Sequence, residues 1–393
     1  MLLEPNTRKC DGVTAYELGN DIVIFLEHTG ELLRLNPTAA VVWKGLRSGM
    51  PSTEIVESLA RTFEISSEDI EGDVERILAG FEEAGLLREH AECAAKQQPQ
   101  PSAEPFAPAF VRWPLQSWER CYGIADFKFR LRTPSAPVRR ETHALLAHLA
   151  LSDSASPEAL IELVDDGKQW FLISEERVIA RCPRSSSFIP MLHAHLLLTA
   201  YRHSSCMAAI HAAVVTRDEN CILMPAPSGS GKTTLAAVLM ANGFGYCADD
   251  LALLTHDPVR VRPVATSLGL KSGSWKVVEH LFPELSSLPE YRRADGKRIK
   301  YLPPPPQTTR VRDNYTPQCI IFPSREPGCQ TELKDISSAE ALTRLTEAGY
   351  DLPERINRDV VGSLIRWISQ MPCFTLRFDS AEDAAREISG VLA

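Results

Sequence analysis

The chain has 393 residues, 44% of them hydrophobic, and a formal net charge of −9, a length that predicts two domains with sizeable cores. No apolar run approaches the length of a membrane span, and the opening Met1-Leu-Leu-Glu-Pro-Asn lacks the charged start and long apolar segment of a secretory signal. Ten cysteines occur singly with no Cys-x-x-Cys, which excludes a zinc ribbon or a disulfide framework and, with the missing signal, predicts a cytoplasmic protein.

In chain order, the first ninety residues form a module of their own. Tyr16–Leu18, Ile22–Leu26 and Leu32–Leu35 read as short strands, with His28–Gly30 as the turn before the third. Pro37 is favourable at a helix start, and Ala39, Val42, Trp43 and Leu46 give that helix an apolar face. Pro51–Glu54 opens a second helix that buries Ile55, Leu59 and Phe63. Ser66-Ser67 caps a third, with Ile70, Val74, Ile77, Leu78 and Phe81 at helical spacing, and Gly85 ends it. Three strands and three helices in this order predict a small α+β winged-helix unit.

Winged helices commonly serve DNA, but residues 1–90 hold 17 acids against 8 bases. Such a surface opposes phosphate contacts, so nucleic acid is not an expected partner. The run Arg34-Leu-Asn-Pro-Thr-Ala-Ala40 through Val42-Trp43, the later Ile55-Val56 and Glu83-Ala-Gly-Leu-Leu87 resemble the PqqD family. These are recognition elements for ribosomally made precursor peptides. The resemblance implies that a leader peptide adds as an extra strand beside the third strand and packs on the third helix. It places Leu33, Leu35, Val74 and Leu78 in the contact region. The acidic module would favour a leader with basic residues.

Residues 91–108 have the Pro, Gln and Ala content of a tether. It would let the first module hold a leader while the rest of the substrate reaches the remainder of the chain, 109–393, at raised effective concentration. Residues 109–205 carry no chemical motif. Phe127–Leu131 and Gln169–Ile173 read as strands and Val138–Leu151 and Phe188–Tyr201 as helices of an accessory lobe.

The core of the second part, 206–325, carries the chemistry. Cys221–Met224 reads as a strand and Leu235–Met240 as a helix, and between them lies Ala226-Pro-Ser228-Gly229-Ser230-Gly231-Lys232-Thr233-Thr234. Strand, glycine-rich turn and helix is the context of a phosphate-binding loop, whose backbone N–H groups and helix dipole hold an anion. Ala226 stands where a first glycine is usual, and would be strained if that position needed positive φ. Gly243 is placed to end the helix, and Phe244–Ala248 reads as a strand delivering Asp249 and Asp250. His211 lies ahead of the strand that feeds the loop. Alone, it reads as an ordinary structural histidine.

His211, the loop and Ala248-Asp249-Asp250, with 21 residues from His211 to Lys232 and 17 from Lys232 to Asp249, resemble the HPr kinase/phosphorylase family and its kinase-only relatives. The implied fold is α/β, a mixed sheet with helices of the P-loop, PEP-carboxykinase-like kind, preceded by the α+β module. The implied activity is ATP- and Mg²⁺-dependent phosphoryl transfer. In it Asp249 is the general base, Thr233 and Asp250 hold Mg²⁺, Lys232 holds the β- and γ-phosphates, and His211 sits beside the transferring group. The stretch Val264–Trp275 does not match the family's Glu-x-Arg-Gly-type signature for the reverse reaction. Its Leu-Lys-x-Gly-Ser-Trp wording resembles HPr-kinase-related proteins of peptide-modification clusters.

Between Lys271 and Arg312 nine Lys/Arg face four acids, mostly a solvated surface. Lys271 and Arg293 are the candidates for extra countercharge on the nucleotide. Pro303–Pro306 reads as a stiff connector. Residues 326–393 hold helices over Ser337–Ala348 and Val360–Met371 and a strand at Cys373–Phe378, read as packing and possible homo-oligomer contacts. The expected partners are a nucleotide and a precursor peptide, with no membrane. The expected function is a kinase acting on a hydroxyl, serine foremost, of that peptide. A kinase of an HPr-type protein or a small molecule is the alternative, and a nucleotide-gated peptide chaperone without transfer is a third reading. ATP and GTP are not distinguished by the loop.

Overall fold

The computed structural model describes residues 12–19, 21–27, 29–63, 66–87, 117–152, 154–293, 295–306, 308, 312–351 and 358–391. The 91–108 tether and His28 of the first predicted turn lie outside them. The chain divides into two compact units. One contains the described residues up to Leu87 together with 337–343 and 358–370, and the other contains the rest.

In the first unit, strands Val13–Leu18, Asp21–Leu26 and Glu31–Leu35 form an antiparallel meander, with Ile24 opposite both Ala15 and Leu33. The central strand is buried on both faces, which is why Asp21–Leu26 reads as an almost unbroken apolar run rather than an alternating one. Helix Pro37–Arg47 begins where Asn36 Oδ1 accepts the Ala39 amide at 2.8 Å, with Pro37 in its first turn. Helices Ser52–Phe63 and Ser67–Glu83 follow. Ile22, Ile24 and Leu26 pack with Val42, Trp43, Ile55, Leu59, Val74 and Phe81 in one core. Trp43 and Phe81 meet edge to face at 5.7 Å. Gly85 takes a φ of +75° and the Leu86 amide returns to Phe81 O, closing the third helix as its sequence predicts.

Helix Arg358–Gln370 joins this unit. Tyr16 Oη donates to Arg358 O at 2.9 Å, Arg358 pairs with Glu27, and Gly362 lies against the Tyr16 ring. The helix has a well-segregated apolar face, and its sequence predicts an amphipathic helix. That the helix meets the first strand, 342 residues away in the Tyr16–Arg358 bond, follows only from the tertiary structure.

The second unit is built on a mixed six-stranded sheet. Its order is Gly245–Ala248, Ala212–Arg217, Asn220–Pro225, Thr316–Arg325, Cys373–Phe378 and Glu332–Asp335. Asn220–Pro225, Thr316–Arg325 and Cys373–Phe378 are parallel, and the outer strands antiparallel. Helices Lys232–Ala241 and Ala381–Val391 pack together in the main core with Met224, Leu376 and Phe378. A five-stranded sheet, Trp118–Ile124, Phe127–Thr133, Ala159–Asp165, Gln169–Ser174 and Arg177–Pro183, makes the accessory lobe. The helix predicted over Val138–Leu151 runs instead over Ala136–Leu146, followed by a short turn Ala147–Leu149. Ser135 caps it and Pro137 is tolerated in its first turn, which moves the start forward. Among the described residues no helix is long and apolar enough to cross a membrane.

Candidate active site

The register of the sheet gathers three motifs that are distant in sequence. Ala212 stands opposite Pro225 and Val214 opposite Ala248. The start of one strand and the ends of its two neighbours therefore share one sheet edge. His211 precedes the first, the glycine-rich loop follows the second, and Asp249-Asp250 follow the third. A small sheet adds to this, with Ala252 opposite Ile210, which holds the chain after Asp250 beside His211.

The loop ends at Gly231, which caps helix Lys232–Ala241 at φ +92°. A Cβ there would be strained and would approach Phe378 Cζ to 3.2 Å. Gly229 also has positive φ, at +103°, whereas Ala226 is not among the positive-φ residues. The alanine in place of the usual first glycine thus costs no backbone strain. No side chain caps the helix, so its first-turn N–H groups remain open to an external acceptor.

Lys232 is only 5% exposed. Its Nζ lies 2.8 Å from His211 Nε2 and 3.7 Å from Asp250 Oδ1. His211 Nδ1 lies 2.9 Å from the Asp250 carbonyl oxygen. A carbonyl only accepts, so Nδ1 carries the proton and Nε2 offers its lone pair to the Lys232 ammonium. Burial, and next the Lys232 charge, hold the His211 pKa below its usual value, consistent with a neutral ring.

Asp249 is 2% exposed. Its Oδ2 accepts the Gly269 amide at 3.3 Å, while its Oδ1 is buried without a hydrogen-bond partner. Burial, and then the neighbouring Asp250 charge, raise its pKa above the usual carboxylate range against the opposing pull of Lys232, the Thr233 hydroxyl and the Gly269 amide. That is the direction a general base at neutral pH needs.

Lys271, at the end of strand Leu268–Lys271, reaches the loop directly, with its Nζ donating to Ser228 Oγ at 2.6 Å. Burial first, then the charges of Lys232, Arg293 and Lys297, lower its pKa. Arg293 is within electrostatic reach but exposed, and it shares Asp295 with Lys297, each at 3.6 Å. Lys297 adds to the positive field at Lys271, and nothing in the basic run of the sequence distinguishes it. The accessory lobe bonds the segment that leads into this strand. His148 Nε2 bonds Ala265 O at 2.8 Å, His193 Nε2 bonds Ser267 O at 3.2 Å, and Ser267 Oγ donates to Leu145 O at 2.8 Å. No local signal in the sequence marks these histidines.

These residues fit a phosphate-bearing ligand. The uncapped helix end, the buried and unpartnered Ser230 Oγ and Asp249 Oδ1, and two lysines converge on one place. Among the described residues no cluster of three or more His, Cys, Asp or Glu is arranged to hold a metal ion. A magnesium ion suits such a sparse set, because it is held by one or two protein groups plus phosphate oxygens and water. Thr233 and Asp250 are the groups available.

In the first unit, Leu33 and Leu78 are half-buried at the margin of the core, whereas Leu35 and Val74 are packed inside it at 6% and 2% exposure. Leu35 and Val74 therefore shape the region from beneath. Glu31–Leu35 pairs on one side with Asp21–Leu26, and among the described residues no strand pairs with its other side.

Residues 21–87 match the family model described as "Coenzyme PQQ synthesis protein D (PqqD)", and the N-terminal module is PqqD-like. Among solved structures, "TbiB1 in Complex with the TbiA(beta) Leader Peptide" is similar at 21% identity, over 22% of this chain and 100% of that chain, with a TM-score of 0.20. No curated protein matches the chain.

Proposed function

We propose that the chain is an ATP- and Mg²⁺-dependent kinase that phosphorylates a hydroxyl, serine foremost, of a ribosomally made precursor peptide held through its leader by the PqqD-like module. The observation that carries the reading is the buried Asp249 carboxyl, one oxygen unpartnered, beside an uncapped helix end that bears Lys232. A site that only bound nucleotide would have no use for a buried base with a raised pKa.

In this reading the amides of the loop and the Ser228–Thr234 segment cradle the phosphates, and Lys232 neutralises charge on the β- and γ-groups. Lys271 is tied to the loop through Ser228 and adds a second cation, with Arg293 further out. Thr233 and Asp250 would hold the magnesium ion, which would supply charge neutralisation on the phosphates when bound. Asp249 accepts the proton of the attacking hydroxyl as its oxygen bonds to the γ-phosphorus and ADP leaves. Burial of Asp249 excludes water from that proton transfer. Leader docking is supported by the side of Glu31–Leu35 with which no described strand pairs, where backbone groups would meet an added strand flanked by Leu33 and Leu78.

The test is γ-phosphate transfer with Mg²⁺, read by intact mass, on candidate precursor peptides encoded beside this gene, full length and leaderless. A gain of one phosphate that depends on the leader and on Asp249 supports the reading. Tight, leader-dependent nucleotide binding with no mass change on any peptide would replace it by a nucleotide-gated binder.

A further inference from the structure

The buried Lys232 ammonium faces a conflict. Asp250, the carboxylate available for a metal ion, lies 3.7 Å from it, and Asp249 is buried close by. In a site of low dielectric such charges attract strongly. Were Lys232 to close on Asp250 directly, the cation meant for phosphate and the carboxylate meant for metal would neutralise each other. The ammonium stays at ion-pair distance from Asp250, but its hydrogen bond goes to a third group. His211 Nε2 is at 2.8 Å, nearer than Asp250, and the ring is fixed in the required tautomer by the Asp250 carbonyl at Nδ1. The backbone is fixed as well, since the His211 amide donates to Gly349 O at 3.0 Å and the residues on either side belong to strands.

We infer that His211 is a positioning residue that parks the Lys232 ammonium off Asp250 in the nucleotide-free protein, rather than a group that exchanges protons with substrate. A neutral nitrogen acceptor satisfies the buried ammonium yet gives it up to a phosphate more readily than a carboxylate would. In the nucleotide-free protein both ring nitrogens are engaged, Nδ1 as donor to the Asp250 carbonyl and Nε2 as acceptor from Lys232. The inference rests on the kinase reading for its catalytic consequence, but its structural half stands on the nucleotide-free protein alone.

The test uses the full chain with His211→Ala and His211→Asn, the second offering an amide oxygen as substitute acceptor. Binding of ATP is measured by calorimetry with and without Mg²⁺, and transfer by kcat and KM. With the ring gone Lys232 closes on Asp250, and the charge-assisted hydrogen bond that ATP must then displace predicts that His211→Ala weakens ATP about tenfold. The KM for ATP should rise more than kcat falls, the shape of the pH–rate profile should be kept, and His211→Asn should recover part of the loss. Nitrogen-15 NMR of the nucleotide-free wild type should show the ring protonated at Nδ1 alone. A ring protonated at Nε2, or ATP affinity unchanged in both variants, overturns the inference. So does a collapse of kcat with one pH limb lost and binding intact, which would make His211 a proton-transfer group. A wild type that binds ATP but phosphorylates nothing sinks the kinase reading while the binding and NMR results still judge this one. A wild type that binds no nucleotide removes both.

Discussion

The two units keep their functional groups in opposite places. In the PqqD-like module Ser52 is the one polar residue buried as a whole among the described residues, Thr14 Oγ1 is buried without a partner, and every described charge is at least partly solvated. What it offers a partner is a backbone edge laid on a dry apolar core. The second unit buries Lys232, Asp249, His193 and Lys300. It holds them with neighbours rather than with water, and leaves Asp249 Oδ1 and Ser230 Oγ unsatisfied. Recognition by an added strand needs rigidity and free N–H and C=O groups, and ionisable groups would only add desolvation cost. Phosphoryl transfer needs charges that are already desolvated and aimed. On the proposed function, the contrast is a division between a surface that binds and an interior that reacts.

The largest effect expected is on the second unit alone. Asp249→Asn should lower phosphate transfer by about a thousandfold, the scale of losing a general base, while leaving nucleotide and leader affinity in place. Lys232→Ala should instead abolish measurable ATP binding, as read by calorimetry. If Asp249→Asn transfers phosphate at the wild-type rate, Asp249 has no place in the chemistry. The converse substitution is Leu33→Glu, which puts a charge beside the open edge. It should weaken leader binding about a hundredfold, the scale of a docking hot spot, and leave the rate with a leaderless peptide unchanged. Fluorescence anisotropy with a labelled leader checks the first part and the transfer assay the second. An equal loss with leaderless peptide would erase the division drawn above.

Acid should also separate the units. Burial pushes the pKa of His148 and of His195 down to about 4, against an ordinary histidine value near 6.5. Between those values the unfolded chain binds protons that the folded unit does not. The stability these groups contribute is therefore complete above pH ~6.5 and lost as pH falls towards ~4, on the order of 3 kcal/mol for each. The described part of the first unit contains no histidine. Thermal melts from pH 7.5 to 4.5 should move the second unit's transition down more than the first's, and His148→Gln should flatten that dependence. The smallest effect expected is Asn36→Ala, which removes the cap on helix Pro37–Arg47. It should cost about 1 kcal/mol in denaturant melts of the first unit and leave ATP binding untouched.

Much of the site is legible in the chain because its parts are local. The loop needs glycines where φ is positive, and Gly229 and Gly231 supply them. The tight turn, the helix behind it and the Gly243 stop follow from short-range sterics. The same holds for the first unit, where Asn36-Pro37 and Gly85 set helix ends and a 3.6-residue period marks buried faces. Strand Cys373–Phe378 falls where its apolar run predicts. Illegible are the pieces that depend on a neighbour far away. Among the four apolar residues proposed for leader contact, periodicity gave no way to tell the half-buried Leu33 and Leu78 from the packed Leu35 and Val74. Burial at a given helical face depends on what lies across from it. Lys271 and Lys297 look alike in a basic run until the strand pairing puts one against Ser228.

The sequence by itself determined the element types, the anion-binding turn and the order of His211, Lys232, Asp249 and Asp250, because backbone sterics and hydrophobic period act within a few residues. Only the tertiary structure decided that these four meet at one sheet edge, that His211 faces Lys232 with its lone pair, that Asp249 is dehydrated, and that helix Arg358–Gln370 belongs with the first strand. Those are consequences of register and packing between segments far apart in the chain, and burial, the source of the raised Asp249 pKa, exists only after folding.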